Sequence, residues 1–127
     1  MQNYIIVFIG AGIGGVLRYW LSGFVYKFLP PTFPYGTLSV NVLGSFIIGI
    51  VMYYLDANEL ISTQLRLFLT IGFCGGLTTF STFSYETINF LKEREYYYAG
   101  LNILLNLLLT LFVLFVSYKL SKIISGE

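Results

Sequence analysis

Apolar residues fall into four long blocks, each closed by a short polar or proline-rich stretch. The first runs from about Tyr4 to Leu29 and is interrupted only by Arg18. Pro30-Pro31-Thr32-Phe33-Pro34 ends it, because proline lacks the amide proton that a continuing helix requires. The second runs from about Tyr35 to Leu55 and stops at Asp56, Asn58 and Glu59. The third runs from about Leu65 to Leu91 and gives way to Lys92-Glu93-Arg94-Glu95. The fourth runs from about Tyr96 to Leu120, before a short tail to Glu127. Each block reaches the roughly 20 residues that a helix needs to cross the bilayer's hydrocarbon core. The pattern predicts an all-α membrane protein with four transmembrane helices, forming a single transmembrane domain over residues 1–127. No repeat or linker divides it, and nothing outside the blocks could form a soluble domain. Met1 to Asn3 carry no basic side chain and no small-residue cleavage pattern follows, so the first block reads as a retained span.

Composition agrees and excludes some chemistry. Charged residues make up 10% of the chain, against roughly a quarter in a soluble domain, too few to clothe a globule in water. The net charge of +1 gives no reason to expect nucleic acid as a partner. The absence of His removes the commonest general base and metal ligand. Cys74 is the single cysteine, so no intrachain disulfide forms.

Charge placement bears on topology. With four spans, both termini and the middle loop share one side, which carries Arg66, Lys119 and Lys122; the other carries Lys27, Lys92 and Arg94. Cytoplasmic loops normally hold an excess of Lys and Arg, and here the sides are level. Two readings stay open. The cell resolves a weak bias in one direction, or the chain inserts both ways and inverted copies pair about an in-plane two-fold axis.

Several polar groups lie within the blocks. Gly10-Ala11-Gly12-Ile13-Gly14-Gly15 matches a dinucleotide fingerprint, but the first acid is Asp56, beyond another span, so that reading fails. Gly10 and Gly14 instead suit close helix approach, with Ala11 and Gly15 beside them. Arg18, flanked by apolar residues, is expected to face a cavity or partner rather than snorkel to the interface. Thr37, Asn41 and Ser45 recur every four residues on one helix face, as do Asn102, Asn106 and Thr110, with Tyr98 a turn earlier. One such stripe would read as interhelical glue. Two amide-bearing stripes in so small a bundle point to the wall of a polar path.

The richest segment is Gly72-Phe73-Cys74-Gly75-Gly76-Leu77-Thr78-Thr79-Phe80-Ser81-Thr82-Phe83-Ser84, in the middle of the third block. Its glycines and hydroxylated residues make a poor helix. The third helix is therefore expected to be broken mid-membrane, where freed backbone groups survive only if buried in protein, lining water or binding an ion. Phe80 and Phe83 flank Ser81 and Thr82, and an aromatic ring turned edge-on can meet a small anion. Glu86 is the only acid well inside a block; it pairs with Arg18 or sits in a vestibule, and the sequence leaves both open.

At Gly75-Gly76-Leu77-Thr78-Thr79-Phe80-Ser81-Thr82-Phe83-Ser84 the chain resembles the Fluc (CrcB) fluoride channel family. The likeness extends over the whole length. It takes in Gly14-x-x-x-Arg18, the run Pro34-x-Gly36-Thr37-Leu38-x-Val40-Asn41, and Glu86. The resemblance implies an antiparallel, dual-topology homodimer in the cytoplasmic (inner) cell membrane, exporting fluoride passively and excluding chloride. Phe80 and Phe83 would form a phenylalanine box, Asn41 would donate to fluoride, and Ser81 and Thr82 would add hydroxyl donors. Backbone carbonyls of Gly75 and Thr78 from both copies would hold a structural sodium ion. Asn102, Asn106 and Thr110 would form the fourth-span track; the family favours hydroxyls there, so the two asparagines depart from its chemistry. The partners implied are fluoride, membrane lipid and a second copy of the chain.

Three alternatives are weaker. A proton-coupled drug exporter of the same size needs a carboxylate in its first span, and no acid precedes Asp56. A small lipid kinase needs clustered carboxylates for Mg²⁺, yet Asp56, Glu59, Glu93 and Glu95 lie in loops on opposite sides. A purely structural subunit would show no ion flux alone. No enzymatic activity is expected.

Overall fold

A computed structural model describes residues 1–127 as an all-helical bundle without strands. Helix α1 covers Gln2–Val25, α2 covers Tyr35–Asp56, and α5 covers Tyr96–Ile124. The third span, Thr63–Lys92, comprises two helical stretches. The first, α3, starts at Thr63–Leu67, widens to π-helix over Phe68–Cys74 and closes with a turn at Gly75–Leu77. The second, α4, is Phe80–Lys92. All four spans are long and apolar enough to cross a membrane. The third is the least apolar, because it carries the glycines and hydroxyls.

The span ends differ from the apolar blocks for local reasons. Helix α1 stops at Val25, four residues short of Leu29. The amides of Lys27 and Phe28 fold back onto the carbonyls of Phe24 and Val25, tightening the last turn. Pro30 then disfavours helical backbone at Leu29. Helix α5 runs past Leu120 to Ile124; Ser121 on this final stretch is buried, as is Ser117 one turn before it. The last turn of α2, Val51–Asp56, is π-helical.

Two glycine seams hold the bundle together. Lipid tails are as apolar as leucine, so helices in a membrane associate through close packing rather than water exclusion. Helix α1 packs mainly on α3, and α2 mainly on α5. A Cβ on Gly14 would strike the Phe73 carbonyl, one on Gly10 the Phe68 carbonyl, and one on Gly76 the Ala11 carbonyl. Gly10 and Gly14 thus make the close approach that the G-x-x-x-G spacing predicts. Gly15 faces open space instead. In the second seam a Cβ on Gly49 would meet Ser117, whose hydroxyl donates to the Val113 carbonyl at 2.8 Å and lies 3.2 Å from that of Phe46.

The ends are tied by polar and aromatic contacts. Phe33, between the prolines, is buried against Tyr35, Phe90 and Tyr98, sealing the end where α1, α4 and α5 turn. At the other end Ser62 caps α3 by accepting from the Leu65 amide. Arg66 pairs with Asp56 at 3.3 Å, and Asn58 reaches Ser125 at 3.0 Å. These exposed contacts define the loop path and contribute little energy.

The seam predicts an asymmetry among glycines. Gly14→Ala forces a methyl against backbone and should cost about 1–3 kcal/mol. Gly100→Ala, on an open face of α5, should stay within roughly 1 kcal/mol of the parent. Equilibrium unfolding in detergent measures both, and equal costs would contradict the packing described.

Candidate functional site

Helical backbone stops at Leu77. Thr78 and Thr79 are extended, with φ/ψ of −90°/159° and −151°/120°. Helix resumes at Phe80, capped by the Thr79 hydroxyl, which accepts from the Thr82 amide at 3.1 Å. Extended residues between two helices leave peptide groups in need of partners. Asn41, on α2, meets that need at Thr79. Its Oδ1 accepts from the Thr79 amide at 2.8 Å, and its Nδ2 donates to the Thr79 carbonyl at 3.2 Å. One side-chain amide thereby pairs both backbone groups of one residue. Gly44, a turn below, lets α2 come close enough, since a Cβ there would strike the Thr78 methyl.

The amide of Asn41 also joins the polar stripe of α5. Its Nδ2 donates to Oδ1 of Asn106 at 3.0 Å. Asn106 donates to the Asn102 side chain at 3.0 Å and to its carbonyl at 2.9 Å. Asn102 donates to the Thr87 hydroxyl at 3.0 Å, and Thr87 donates to the Phe83 carbonyl at 2.8 Å. Thr110 donates to the Asn106 carbonyl. Asn102 is fully buried, and Asn106 and Thr87 nearly so.

Two cavities flank the extended segment. The first, of about 630 Å³, is an open groove lined by Asn41, Ser45, Gly75, Phe80, Phe83, Asn106 and Thr110 among others. The Phe80 and Phe83 rings lie 5.4 Å apart at 50°, and Phe80 is 78% exposed. The second, of about 860 Å³, is lined by Arg18, Lys27, Thr37 and Thr82 together with Tyr19 and Trp20. Thr79 lines both cavities.

The structure separates the two roles left open for Arg18 and Glu86. Arg18 lines the second cavity, and the only ion pair in the molecule is that of Arg66 with Asp56. Glu86 accepts from the Thr37 hydroxyl at 2.8 Å, while its second oxygen is buried without a partner. Thr82 accepts from the Thr79 hydroxyl at 3.1 Å, which leaves its own proton free for the second cavity. Ser81 contacts Thr79 at 3.2 Å but lines neither cavity. Asn41, Asn106, Thr110, Phe80, Phe83, Gly75 and Thr78 thus gather at the groove, and Arg18, Thr37 and Thr82 at the second cavity. Asn102 stands behind the groove wall.

Two residues of the site had not been singled out from sequence. Thr79 caps α4 and receives Asn41, and Thr87 ends the hydrogen-bonded series. Thr87 sits four residues after Phe83, so helical spacing could have placed it on the same face.

Sequence comparison matches residues 5–118 to a family described as CrcB-like protein, Camphor Resistance (CrcB). A relative from Geotalea daltonii, named fluoride-specific ion channel FluC, is 49% identical over 111 residues, covering 87% of this chain and 90% of its own. One of the same name from Pyrococcus furiosus is 46% identical over 124 residues, covering 96% and 98%. Another from Shewanella baltica is 45% identical over 120 residues, covering 94% and 96%.

The cap at Thr79 gives a direct test of the local structure. Thr79→Val keeps the shape, removes the capping oxygen and should cost about 1 kcal/mol; Thr79→Ser should cost clearly less. Unfolding in detergent reads the difference, and identical stabilities would show that the hydroxyl does not cap α4.

Proposed function

The chain belongs to the CrcB family, and from that premise we infer that it is a fluoride-specific ion channel, a multi-pass membrane protein and not an enzyme. One observation carries the mechanism best: an extended, polar segment separates two cavities and shares a residue with both. Fluoride is small and strongly hydrated, so a pore must replace the hydrogen bonds of its water shell. The second cavity supplies Arg18 and Lys27, whose field concentrates anions at its mouth. Thr82 offers a hydroxyl proton there, with Thr37 on the same wall above Glu86 and Ser81 beside Thr79. Past Thr79 the ion meets Asn41 and the edges of Phe80 and Phe83, where the ring quadrupole is positive. Thr110 and Asn106 continue the wall. Beyond that cationic mouth the sites are several and weak, none a full charge, which lets the ion leave as readily as it enters. Flow is passive, so the channel in the cytoplasmic membrane lowers cytoplasmic fluoride whenever the gradient points outward.

The working unit is an antiparallel homodimer of copies inserted in both orientations. Three features support it. Lys and Arg are balanced across the two sides, the groove is open along one flank, and Phe80 is exposed there. The reading includes a structural sodium ion held between the copies. In a continuous helix the Gly75 carbonyl would accept from the Thr79 amide and the Thr78 carbonyl from the Thr82 amide. Those amides donate instead to Asn41 and to the Thr79 hydroxyl, which leaves two carbonyl oxygens of the kind that coordinate sodium in broken membrane helices. Sodium held there would neutralise the carbonyl dipoles and join the two subunits.

Two measurements test this reading. Liposomes holding the purified protein should release fluoride, and Phe80→Ile or Phe83→Ile should slow release by about tenfold or more, the equivalent of one lost pore interaction. Release no faster than from empty liposomes, with folded protein present, would end the channel reading. Exchanging potassium for sodium at constant ionic strength should raise the unfolding temperature, by mass action on the folded dimer. Saturation to about 100 times the dissociation constant is worth about 2.7 kcal/mol. A flat response would remove the sodium site and leave the channel standing.

A further inference from the structure

Polar groups in and behind the groove wall form a continuous circuit with one fixed direction. It leaves the third span at the Thr79 amide, crosses to Asn41 on α2, then to Asn106 and Asn102 on α5. It returns to α4 through Thr87 and ends on the Phe83 carbonyl. Both ends are backbone groups, so their chemistry is not adjustable. The Thr79 N–H can only donate, which forces the Asn41 oxygen toward it and the Asn41 nitrogen away. Asn106 must then present its oxygen to Asn41 and its nitrogen to Asn102, whose backbone carbonyl also demands a donor. Asn102 must present its nitrogen to Thr87, whose proton goes to the Phe83 carbonyl. Every side-chain amide in the series has one allowed orientation. The circuit encloses the first turn of α4, which carries Phe80 and Phe83.

We propose that Asn102 and Thr87 are positioning residues for fluoride permeation: through the wall residue Asn106 their buried, one-way hydrogen-bond circuit fixes the orientation of the Asn41 amide and the placement of the phenylalanine-bearing turn. The inference rests on the channel reading and deepens it. Both Asn41 protons are shared inward, one with the Thr79 carbonyl and one with Asn106. Fluoride at the groove therefore competes with Asn106 for a proton already aimed and polarised by the residues behind it. Bonds in such a series strengthen one another, so loss of a remote member weakens the Asn41 contact without touching the ion. Asn102 and Thr87 line neither cavity, so any effect of theirs on permeation is transmitted. The competing account is interhelical glue, in which these amides only hold α2, α4 and α5 together.

The discriminating experiment uses the full-length protein with Asn102→Leu, Thr87→Val and Thr87→Ser. Fluoride release from liposomes and fluoride-over-chloride discrimination are measured beside hydrogen exchange at the Thr79 amide. Asn102→Leu and Thr87→Val should each lower fluoride throughput or discrimination by about fivefold or more, and speed Thr79 exchange by about tenfold, the scale of one lost hydrogen bond. Thr87→Ser retains the hydroxyl and should stay within roughly twofold of the parent in all three readings. Variants that fold, yet leave permeation, discrimination and Thr79 exchange at parental values, would overturn the proposal and leave glue. If Asn102→Leu does not fold, the Thr87 pair decides alone. If the parent itself carries no fluoride, the channel reading fails. Thr79 exchange then still judges the circuit: parental rates in both Thr87 variants refute it.

Discussion

A peptide group in hydrocarbon must be hydrogen-bonded, and Thr78 and Thr79 place extended backbone in the middle of a span. Much of the remaining structure answers that requirement. Asn41 exists on the facing helix to serve both groups of Thr79. Gly44 is small because Asn41 must approach closely. The Thr79 hydroxyl restarts the helix, and the α5 asparagines hold the amide that holds the break. An apolar residue at position 41 would leave one donor and one acceptor stranded, each at a cost of about 1–3 kcal/mol. The same requirement gives the site its chemistry, since groups arranged to satisfy a broken backbone are the groups a desolvated anion can use.

Packing supplies the rigidity that this arrangement needs. The seam of Gly10 and Gly14 against Gly72 and Gly76 brings α1 into backbone contact with α3 just before the break. The π-helical stretch Phe68–Cys74 lies along the same seam. A π-turn shifts the register of every residue beyond it and recurs at functional sites for that reason. Here it leads directly into the Gly75–Leu77 turn that precedes Thr78. The bundle is thus tightest beside the segment that is least regular.

Much of this was legible in the sequence. Four spans were plain from block length, because the bilayer imposes a minimum length that few other structures require. The stripes of Thr37 and Asn41 and of Asn102, Asn106 and Thr110 were legible from four-residue spacing, and the structure brings Asn41 and Asn106 into contact. The glycine and hydroxyl content of Gly72 to Ser84 marked where helix propensity fails. What was not legible was partnership. Nothing in composition says that Glu86 takes Thr37 rather than Arg18, or that Asn41 spends its amide on Thr79. Such choices depend on helix rotation, which periodicity leaves free. The π-turns carry no compositional signature, and the early end of α1 at Val25 came from backbone bonding that its apolar side chains do not reveal. Thr87 was hidden for another reason: a lone threonine in a helix ordinarily bonds its own preceding turn, which it also does here.

The residue common to both cavities has an electrical consequence. Were water to fill the two cavities from opposite compartments, each side of Thr79 would carry the potential of its own compartment deep into the protein. The insulating layer at Thr79 would then be thinner than the full hydrocarbon thickness of about 30 Å. A membrane potential, worth about 2.3 kcal/mol per charge per 100 mV, would fall mainly across that thinner layer. The local field would be correspondingly steeper than in the surrounding lipid, and steepest beside Thr79, which lines both cavities. Voltage would thereby be concentrated at the extended segment rather than spread along the approaches to it.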